Sequence, residues 1–179
     1  MIVRRVATGH VDGKASVIFD GKTPRSHDFV HLPGMSTALV WSTAANPTVP
    51  CDNQDPITEA SSFLPAPGET RFLIVAFPPD SVAMSPGFDA EAAGRENMEH
   101  TPDIAALIEP DNPGMHTTDT VDYGIVLEGE VWLELDDGEQ VQLKPHDVVI
   151  QNGTRHAWRN KSDTPVKVAF VMVSARREA

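Results

Sequence analysis

Cysteine is nearly absent from this chain of 179 residues, where Cys51 is the single example. One thiol cannot form a disulfide within the chain, so no framework of cross-links is expected. Cys51 stands in a loop rich in proline and asparagine, which favours a tolerated free thiol over a nucleophile. Aromatic residues are also few, at 6%, but the hydrophobic fraction of 40% is ordinary for a globular protein. Length and composition together predict one packed domain over 1–179.

Positive charge is scarce as well, with 14 Lys and Arg against 26 Asp and Glu, a formal net charge of −12. Nucleic-acid binding and adhesion to anionic membranes both depend on Lys and Arg, so neither partner is expected. No apolar run approaches the roughly 20 residues that a membrane span needs, and the N-terminus has no apolar stretch of signal-peptide length. We therefore expect a cytoplasmic protein without nucleic-acid or membrane partners.

Short strand-like runs separated by turn residues dominate what the chain does contain. The first two, 3–11 and 15–20, are joined by Asp12-Gly13, a strong hairpin signal. The other predicted strands are 28–32, 37–42, 71–77, 123–127, 131–135, 140–143, 147–151, 156–159 and 166–173. Closely spaced short strands with such turns are typical of a sandwich or barrel, of which the jelly roll is the double-sheet form. The predicted fold class is all-β.

Three stretches depart from this pattern. Residues 43–70 are rich in Pro, Asn, Ser and Thr and predict a long loop, which covers a substrate or contacts a subunit. Residues 80–113 predict a short helical insertion at the barrel mouth, a lid or rim, with Asp89 capping a helix over 90–98 and Pro102 opening another over 103–108. Residues 174–179 are expected to be a loose tail.

The strongest candidate site begins at His116. His116, Thr118 and Asp122 are all even-numbered and share one face if the segment is extended. His156 lies forty positions after His116 and meets it if the intervening strands fold back. Two imidazoles and one carboxylate leave open coordination positions, as non-haem iron centres require. The alternative is that these side chains hydrogen-bond one another and hold no metal.

These residues resemble the two sequence motifs of the cupin superfamily. The first motif reads Gly, five residues, His-x-His, three or four residues, Glu, six residues, Gly; the second reads Gly, five residues, Pro-x-Gly, two residues, His, three residues, Asn. The matching positions are His116, Asp122, Gly129, Gly153, His156 and Asn160. The chain departs from the pattern at Thr118, which replaces the second histidine, at Asp122, which is shorter than glutamate, and at Gln151, which replaces proline.

The resemblance implies a cupin-like double-stranded β-helix, a jelly-roll barrel with extra N-terminal strands. Within the single domain, 1–79 would hold the N-terminal strands and loop, 80–113 the helical rim, and 114–173 the core motifs. It also implies a small-molecule substrate and a homodimer. An N-terminal hairpin that would otherwise leave an open sheet edge is consistent with a second subunit.

The resemblance further implies a divalent transition metal, Fe, Zn, Ni or Mn, with His116, Asp122 and His156 as ligands. Thr118 would orient a water or a substrate oxygen, or simply suit a strand as a β-branched residue. Trp158 shares the parity of His156, so it would wall the cavity beside that histidine or fill the core.

Two functions fit this site. The first is a metal-dependent small-molecule enzyme acting on a small organic acid or carbonyl compound, either a lyase, decarboxylase or dehydratase or a non-haem dioxygenase. In a lyase-like reaction His156, or the rim residues Glu99 and His100, would move a proton. The second is a metal-free barrel that binds or steers a small molecule, which the missing second histidine favours. Elemental analysis of the purified protein separates the two.

Overall fold

The computed structural model describes residues 1–59 and 61–178. The strands in that part of the chain are β1 Arg4–Val11, β2 Lys14–Lys22, β3 Ser26–Asp28, β4 Ser36–Thr43, β5 Thr70–Phe77, β6 Thr120–Glu128, β7 Val131–Glu134, β8 Gln140–Leu143, β9 Val148–Gln151, β10 Ala157–Arg159 and β11 Val166–Ser174. The helices there are α1 Asp80–Ala83, α2 Ala90–His100 and α3 Pro102–Ala105, and a 3₁₀ turn spans Asp136–Gly138. None of these helices is long and apolar enough to span a membrane.

The strands form three antiparallel sheets. A six-stranded sheet has the order β3-β4-β5-β11-β6-β9, a three-stranded sheet has the order β10-β7-β8, and β1 pairs with β2 alone. The two larger sheets pack face to face, because long alternating strands must bury their apolar face against another layer. This confirms the predicted all-β class.

The core lies between the two larger sheets. β6 shows the alternation that places it there, since Asp122, Gly124 and Val126 are buried and Tyr123 and Leu127 are exposed. The buried apolar residues that meet across the interior are Leu39, Leu73, Val75, Val126, Val131, Leu133, Leu143, Val166, Val168, Phe170 and Met172. Even-numbered β6 residues therefore face inward, as the parity of His116 and Asp122 predicts.

The N-terminal hairpin forms as predicted. Asp12 and Gly13 both have positive φ, 51° and 73°, which is the conformation that a two-residue type I′ turn requires. Arg5 attaches the hairpin to the rest of the molecule, because its buried guanidinium binds the carboxylate of Asp55 and donates to the Val40 carbonyl at 3.4 Å.

The loop between β4 and β5 is anchored to the core in its described residues, 44–59 and 61–69. Ile57 and Phe63 are only 3% and 2% exposed and belong to the core cluster. Asp103 Oδ2 accepts the amide hydrogens of Phe63 and Leu64 at 2.6 and 3.0 Å. The loop thus closes one side of the barrel, and its predicted contact with a substrate or subunit stays a prediction.

Two predicted elements are wrong in their limits. The strand placed at 28–32 is β3, Ser26–Asp28, and the chain turns afterwards because Glu96 accepts the amide hydrogens of Val30 and His31, each at 2.8 Å. The helix placed at 103–108 is α3, which ends at Ala105, and α1 was not predicted. The capped helix is confirmed: Asp89 Oδ1 accepts from the Ala92 amide at 2.9 Å, and α2 extends to His100.

The predicted loose tail is also wrong for the residues that the structure describes. The Ala175 amide donates to the Asp119 carbonyl at 2.9 Å. Arg177 pairs with Asp119 at 2.6 Å and donates to the carbonyls of Thr118 and Gly153, both at 3.0 Å. Ala175 and Arg177 are held against Thr118, Asp119 and Gly153, because one guanidinium donates hydrogen bonds to several acceptors at once.

Candidate functional site

His116 and His156 lie side by side inside the barrel. They form an isolated antiparallel bridge in which each backbone amide donates to the carbonyl of the other residue, at 2.9 and 3.0 Å. Their ring centroids are 4.4 Å apart. The predicted meeting of these two distant histidines is confirmed.

The turn at Gly153 lets the two segments approach. Gly153 has φ of 61°, and a Cβ at this position would lie 3.1 and 3.2 Å from the carbonyl oxygens of Thr118 and Thr120. Glycine therefore satisfies both the left-handed backbone and the close packing. Arg177 binds the carbonyls of Thr118 and Gly153 from outside, so the tail holds together the turns that carry the two histidines.

Both imidazoles carry their hydrogen on Nδ1 and leave Nε2 as the acceptor. His116 Nδ1 lies 2.9 Å from the Gly114 carbonyl, and His156 Nδ1 lies 2.9 Å from the Thr154 carbonyl. A carbonyl oxygen only accepts, so each Nδ1 carries the hydrogen and each Nε2 keeps its lone pair. Neither Nε2 has a hydrogen-bond partner within residues 1–59 and 61–178. This is the tautomer that a metal-ligating histidine adopts.

Burial keeps both rings neutral. It lowers the pKa of His116, against smaller raising effects of the Gly114 carbonyl and the Glu109 carboxylate. Burial and then the neighbouring His116 lower the pKa of His156 to about 4. Both rings are therefore unprotonated at neutral pH and can accept a hydrogen bond or bind a cation.

Asp122 faces the same interior but does not join the pair. It is 5% exposed, and its Oδ1 has no hydrogen-bond partner in the described chain. Burial raises its pKa to about 6, against an opposing effect of the Thr120 hydroxyl. Among the described residues, no three His, Cys, Asp or Glu side chains lie close enough to hold a metal ion. The donor set therefore fits a metal at the two imidazoles and does not supply the predicted carboxylate as a third ligand.

Thr118 and Trp158 both lie beside the pair. Thr118 is 2% exposed, and its hydroxyl accepts a hydrogen bond from Thr120 Oγ1 at 2.8 Å, so a structural contact already engages it. The Trp158 ring meets His156 edge-on, with centroids 5.9 Å apart, and also packs against Phe170 at 5.2 Å. Trp158 thus borders the histidine pair and fills the core, which are the two roles that the sequence left open.

Glu99 and His100 lie in another cluster, at the end of α2. The His100 ring stacks on His27 with centroids 3.4 Å apart, and the Glu99 side chain is 76% exposed. Neither makes a contact with the histidine pair in the described residues. Helix α2 has this orientation because the buried Glu96, on its inner face, binds His27 at 2.8 Å. The structure does not place these two rim residues where they could exchange a proton with the pair.

Sequence reasoning missed Glu96 as a partner of His27. The signal was present: Glu96 follows Ala92 and Ala93 by four and three positions, so the three share one helical face, and all three are buried. A carboxylate on an otherwise apolar helical face needs hydrogen-bond donors from its neighbour. Arg177 carried no comparable signal, because a charged residue in a C-terminal tail is ordinarily solvated.

Residues 107–173 match the family model described as Cupin domain. The match covers the histidine pair, Asp122 and the strands β6 to β11 almost completely. This range is therefore similar to a cupin domain, in agreement with the motif spacing.

About a third of the chain is similar to curated proteins. It is 49% identical over 63 residues to phomopsin biosynthesis cluster protein C′ of Diaporthe leptostromiformis, covering 35% of this chain and 33% of that protein. It is 46% identical over 65 residues to the cupin-domain-containing oxidoreductase virC of Hypocrea virens, covering 35% and 34%. The match thus spans about a third of the length of these curated relatives.

A solved structure of an RmlC-like cupin family protein with a double-stranded β-helix fold, from Methanocaldococcus jannaschii, is also similar. It is 13% identical with a TM-score of 0.38, over 59% of this chain and 70% of that one.

Proposed function

We propose that this chain is a cupin-type enzyme that acts on a small organic molecule at the His116–His156 pair. In this proposal the two Nε2 atoms bind a divalent transition metal, Fe, Zn, Ni or Mn. The observation that carries the proposal is the pair of unprotonated Nε2 acceptors, which the two backbone carbonyls fix in one tautomer with ring centroids 4.4 Å apart.

The physical basis is that two adjacent buried acceptors have no favourable interaction with each other. A cation, or a ligand that donates hydrogens, would satisfy both lone pairs, and imidazole is a common ligand of all four metals. A metal bound there supplies a Lewis acid toward a carbonyl or carboxylate oxygen. The remaining coordination positions would belong to water and substrate, since Asp122 lies outside the ligand group. The residues of the chain orient the site: Trp158 restricts it on one side and the Gly114 and Thr154 carbonyls hold the rings.

The relatives support a redox reaction over the other types. One matched protein is named an oxidoreductase, and another is named for a biosynthesis cluster. Among lyase, decarboxylase, dehydratase and dioxygenase chemistry, we therefore favour dioxygenase chemistry, in which dioxygen is the oxidant of a small organic acid or carbonyl compound. Both similarities cover only about a third of this chain and of the relatives, so the substrate belongs to the proposal. The cytoplasmic location also stays a prediction.

The second candidate function is a metal-free barrel that binds or steers a small molecule. A specific observation favours it: the described residues contain no group of three ligating side chains, and Thr118 replaces the second motif histidine. In this case the two Nε2 atoms accept hydrogen bonds from hydroxyl or amide groups of the ligand.

Elemental analysis tests the first function against the second. The protein, purified without added metal and then incubated with each of Fe²⁺, Zn²⁺, Ni²⁺ and Mn²⁺, is expected to retain about one equivalent of one of them after desalting. His116→Ala is expected to lower the affinity at least tenfold, roughly the loss that even outer-shell changes cause. His146→Ala, at an exposed turn, is the matched control and should bind as the wild type does. Failure of all four metals to bind would favour the metal-free function.

We also propose that the chain forms a homodimer through the outer face of the six-stranded sheet. Trp41, Phe72, Val171, Tyr123 and Ile150 form a continuous cross-strand row there. A second row runs through Ala38, Ile74, Ala169, Ile125 and Val148. Neither row contains a charged residue. The rows are exposed toward β6 and β9, at Tyr123, Val148 and Ile150, whereas Ala38 and Ala169 are buried. An exposed apolar surface of this kind is characteristic of interaction sites.

A further inference from the structure

A cavity of about 330 Å³ lies at the β3 edge of the six-stranded sheet. Its lining comes from β3, the first part of β4, the loop before β5 and the end of α2, and neither His116 nor His156 is part of it. The lining residues are Pro24, Arg25, Ser26, His27, Thr37, Glu59, Phe63 and His100. This volume is at the small end of the range of small-molecule sites, about 300 to 1,000 Å³.

Two hydroxyl groups in this lining lack hydrogen-bond partners. Of the three buried side-chain polar atoms without a partner in the described residues, Ser26 Oγ and Thr37 Oγ1 belong to this cavity. Thr37 is only 5% exposed and lies directly opposite His27 across the β3–β4 pair, so both side chains are on the same face. Buried polar groups in native proteins are nearly always paired, which indicates a molecule that is needed to complete this site.

The imidazoles beside these hydroxyls are held in place by the protein. His27 Nε2 lies 2.8 Å from Glu96 Oε1, and His100 stacks on the other side of the His27 ring at 11°. Three hydrogen bonds, from His27 and the amides of Val30 and His31, overcome the raising effect of burial and lower the pKa of Glu96 to about 2. Glu96 is therefore a carboxylate, so His27 donates through Nε2, and its Nδ1 makes no hydrogen bond in the described chain.

Arg25 brings a positive charge to the cavity in a fixed orientation. Its Nε donates to the Ser61 carbonyl at 3.1 Å and its Nη2 to the His100 carbonyl at 2.8 Å. The guanidinium also lies over the Phe63 ring, 5.0 Å from the centroid. Its Nη1 has no hydrogen-bond partner among the described residues. A guanidinium oriented in this way, with donor capacity left, suits a carboxylate.

We propose that this cavity is a small-molecule site, separate from the histidine pair, that takes a small hydroxycarboxylate. Arg25 binds the carboxylate, Thr37 hydrogen-bonds it from the strand side, and Glu59 at the exposed rim accepts the hydrogen of the ligand hydroxyl. The polar lining and the small volume disfavour a larger apolar ligand. The proposal stands whether or not the histidine pair binds a metal.

Titration of the ¹⁵N-labelled full chain with lactate, followed by NMR, tests the proposal. The expected result is saturable shifts of the Ser26, Thr37 and His100 amides, with lactamide, which lacks the charge, binding at least about tenfold more weakly. His116→Ala should leave the lactate affinity unchanged, which distinguishes this site from the histidine pair. Absence of saturable shifts up to about 10 mM lactate, or shifts centred on Gly114 and Thr154, would overturn the proposal.

Thr37→Val and its control Thr23→Val separate loss of lactate binding from loss of stability. Thr37→Val has nearly the same shape, removes a hydroxyl without a protein partner, and should leave the denaturant midpoint unchanged or higher while weakening lactate about five- to tenfold. Thr23→Val is its matched control, because the Thr23 hydroxyl donates to the Leu39 carbonyl at 2.5 Å and its loss should destabilise the fold without changing lactate affinity. Wild-type affinity in Thr37→Val would contradict the assignment. Arg25→Gln, where it folds, should abolish measurable binding.

Discussion

Asn160, the last residue of the second motif, is fully buried and all its side-chain groups are paired. Its Nδ2 donates to the carbonyls of Phe77 and Thr164 at 3.1 and 2.8 Å. Its Oδ1 accepts from the amide and the hydroxyl of Ser162 at 3.0 and 2.7 Å. The Asn160 side chain thus joins the end of β5 to the turn after β10. Its role is therefore to stabilise the fold.

Asn160→Ala is expected to lower the free energy of unfolding by about 3 kcal/mol, because it removes several hydrogen bonds and leaves buried acceptors unpaired. Urea unfolding at neutral pH measures the change. Asn152→Ala is the matched control, since Asn152 is exposed on the turn before Gly153. A difference between the two variants of less than about 0.5 kcal/mol would show that the network around Asn160 contributes little.

At the residue scale, the sequence predicts the orientation of side chains that follow the two-residue period of a strand. His116 and Asp122 are inward because strand parity decides orientation, and His156 reaches His116 as the motif spacing implies. The sequence could not predict whether Asp122 joins the histidine pair, because parity fixes the face of a side chain but not its position along that face. The unpaired hydroxyl of Thr37 could not be predicted either, since a buried hydroxyl without a partner has no sequence signature.

At the scale of elements, one carboxylate joins helix α2 to the β3 edge. Glu96 accepts from His27 and from the amides of Val30 and His31, and these bonds hold its pKa at about 2 against an ordinary value of 4.5. His100, from the same helix, adds its ring to His27. The helix therefore docks through a polar contact and not through a broad apolar stripe, which its small buried residues Ala92 and Ala93 could not provide.

Because the folded pKa of Glu96 is below its unfolded value, its carboxylate stabilises the fold fully above about pH 4.5. This contribution is lost as the pH falls from 4.5 toward 2. The wild type is thus expected to exceed Glu96→Gln in unfolding free energy at pH 7, with the difference shrinking below pH 4.5. Denaturant unfolding at several pH values measures it. Glu91→Gln, an exposed position of the same helix, should show no such dependence, and a constant difference for Glu96→Gln would contradict the assignment.

The strands of the second half were predicted well and the connections were not. β6, β9 and β10 each end directly before Gly or Asn, at Gly129, Asn152 and Asn160, so local chemistry sets these limits. Helix α3 ends early at Ala105, where the chain turns to bring Glu109 to Arg155 at 2.6 Å. That contact spans 46 positions, and a pattern within a short window cannot report it.

On the scale of the whole molecule, charge and apolar surface are unevenly distributed. The chain carries a formal net charge of −12, so two copies repel over most surfaces. The outer face of the six-stranded sheet is the exception, because its two central rows are uncharged and leave Tyr123, Val148 and Ile150 between 46% and 59% exposed. A two-fold contact uses the same patch on both copies, and this patch can meet itself without bringing like charges together.

The proposed homodimer is tested by introducing charge into this face. Size-exclusion chromatography with light scattering is expected to give twice the mass of the chain for the wild type and the monomer mass for Tyr123→Lys and Ile150→Lys. A lysine at the centre of such a contact should raise the dissociation constant at least thirtyfold, about 2 kcal/mol. Met84→Lys, at an exposed position outside the sheet, should remain a dimer. A monomeric wild type, or dimers that persist in both sheet variants, would show that this face does not hold a second copy.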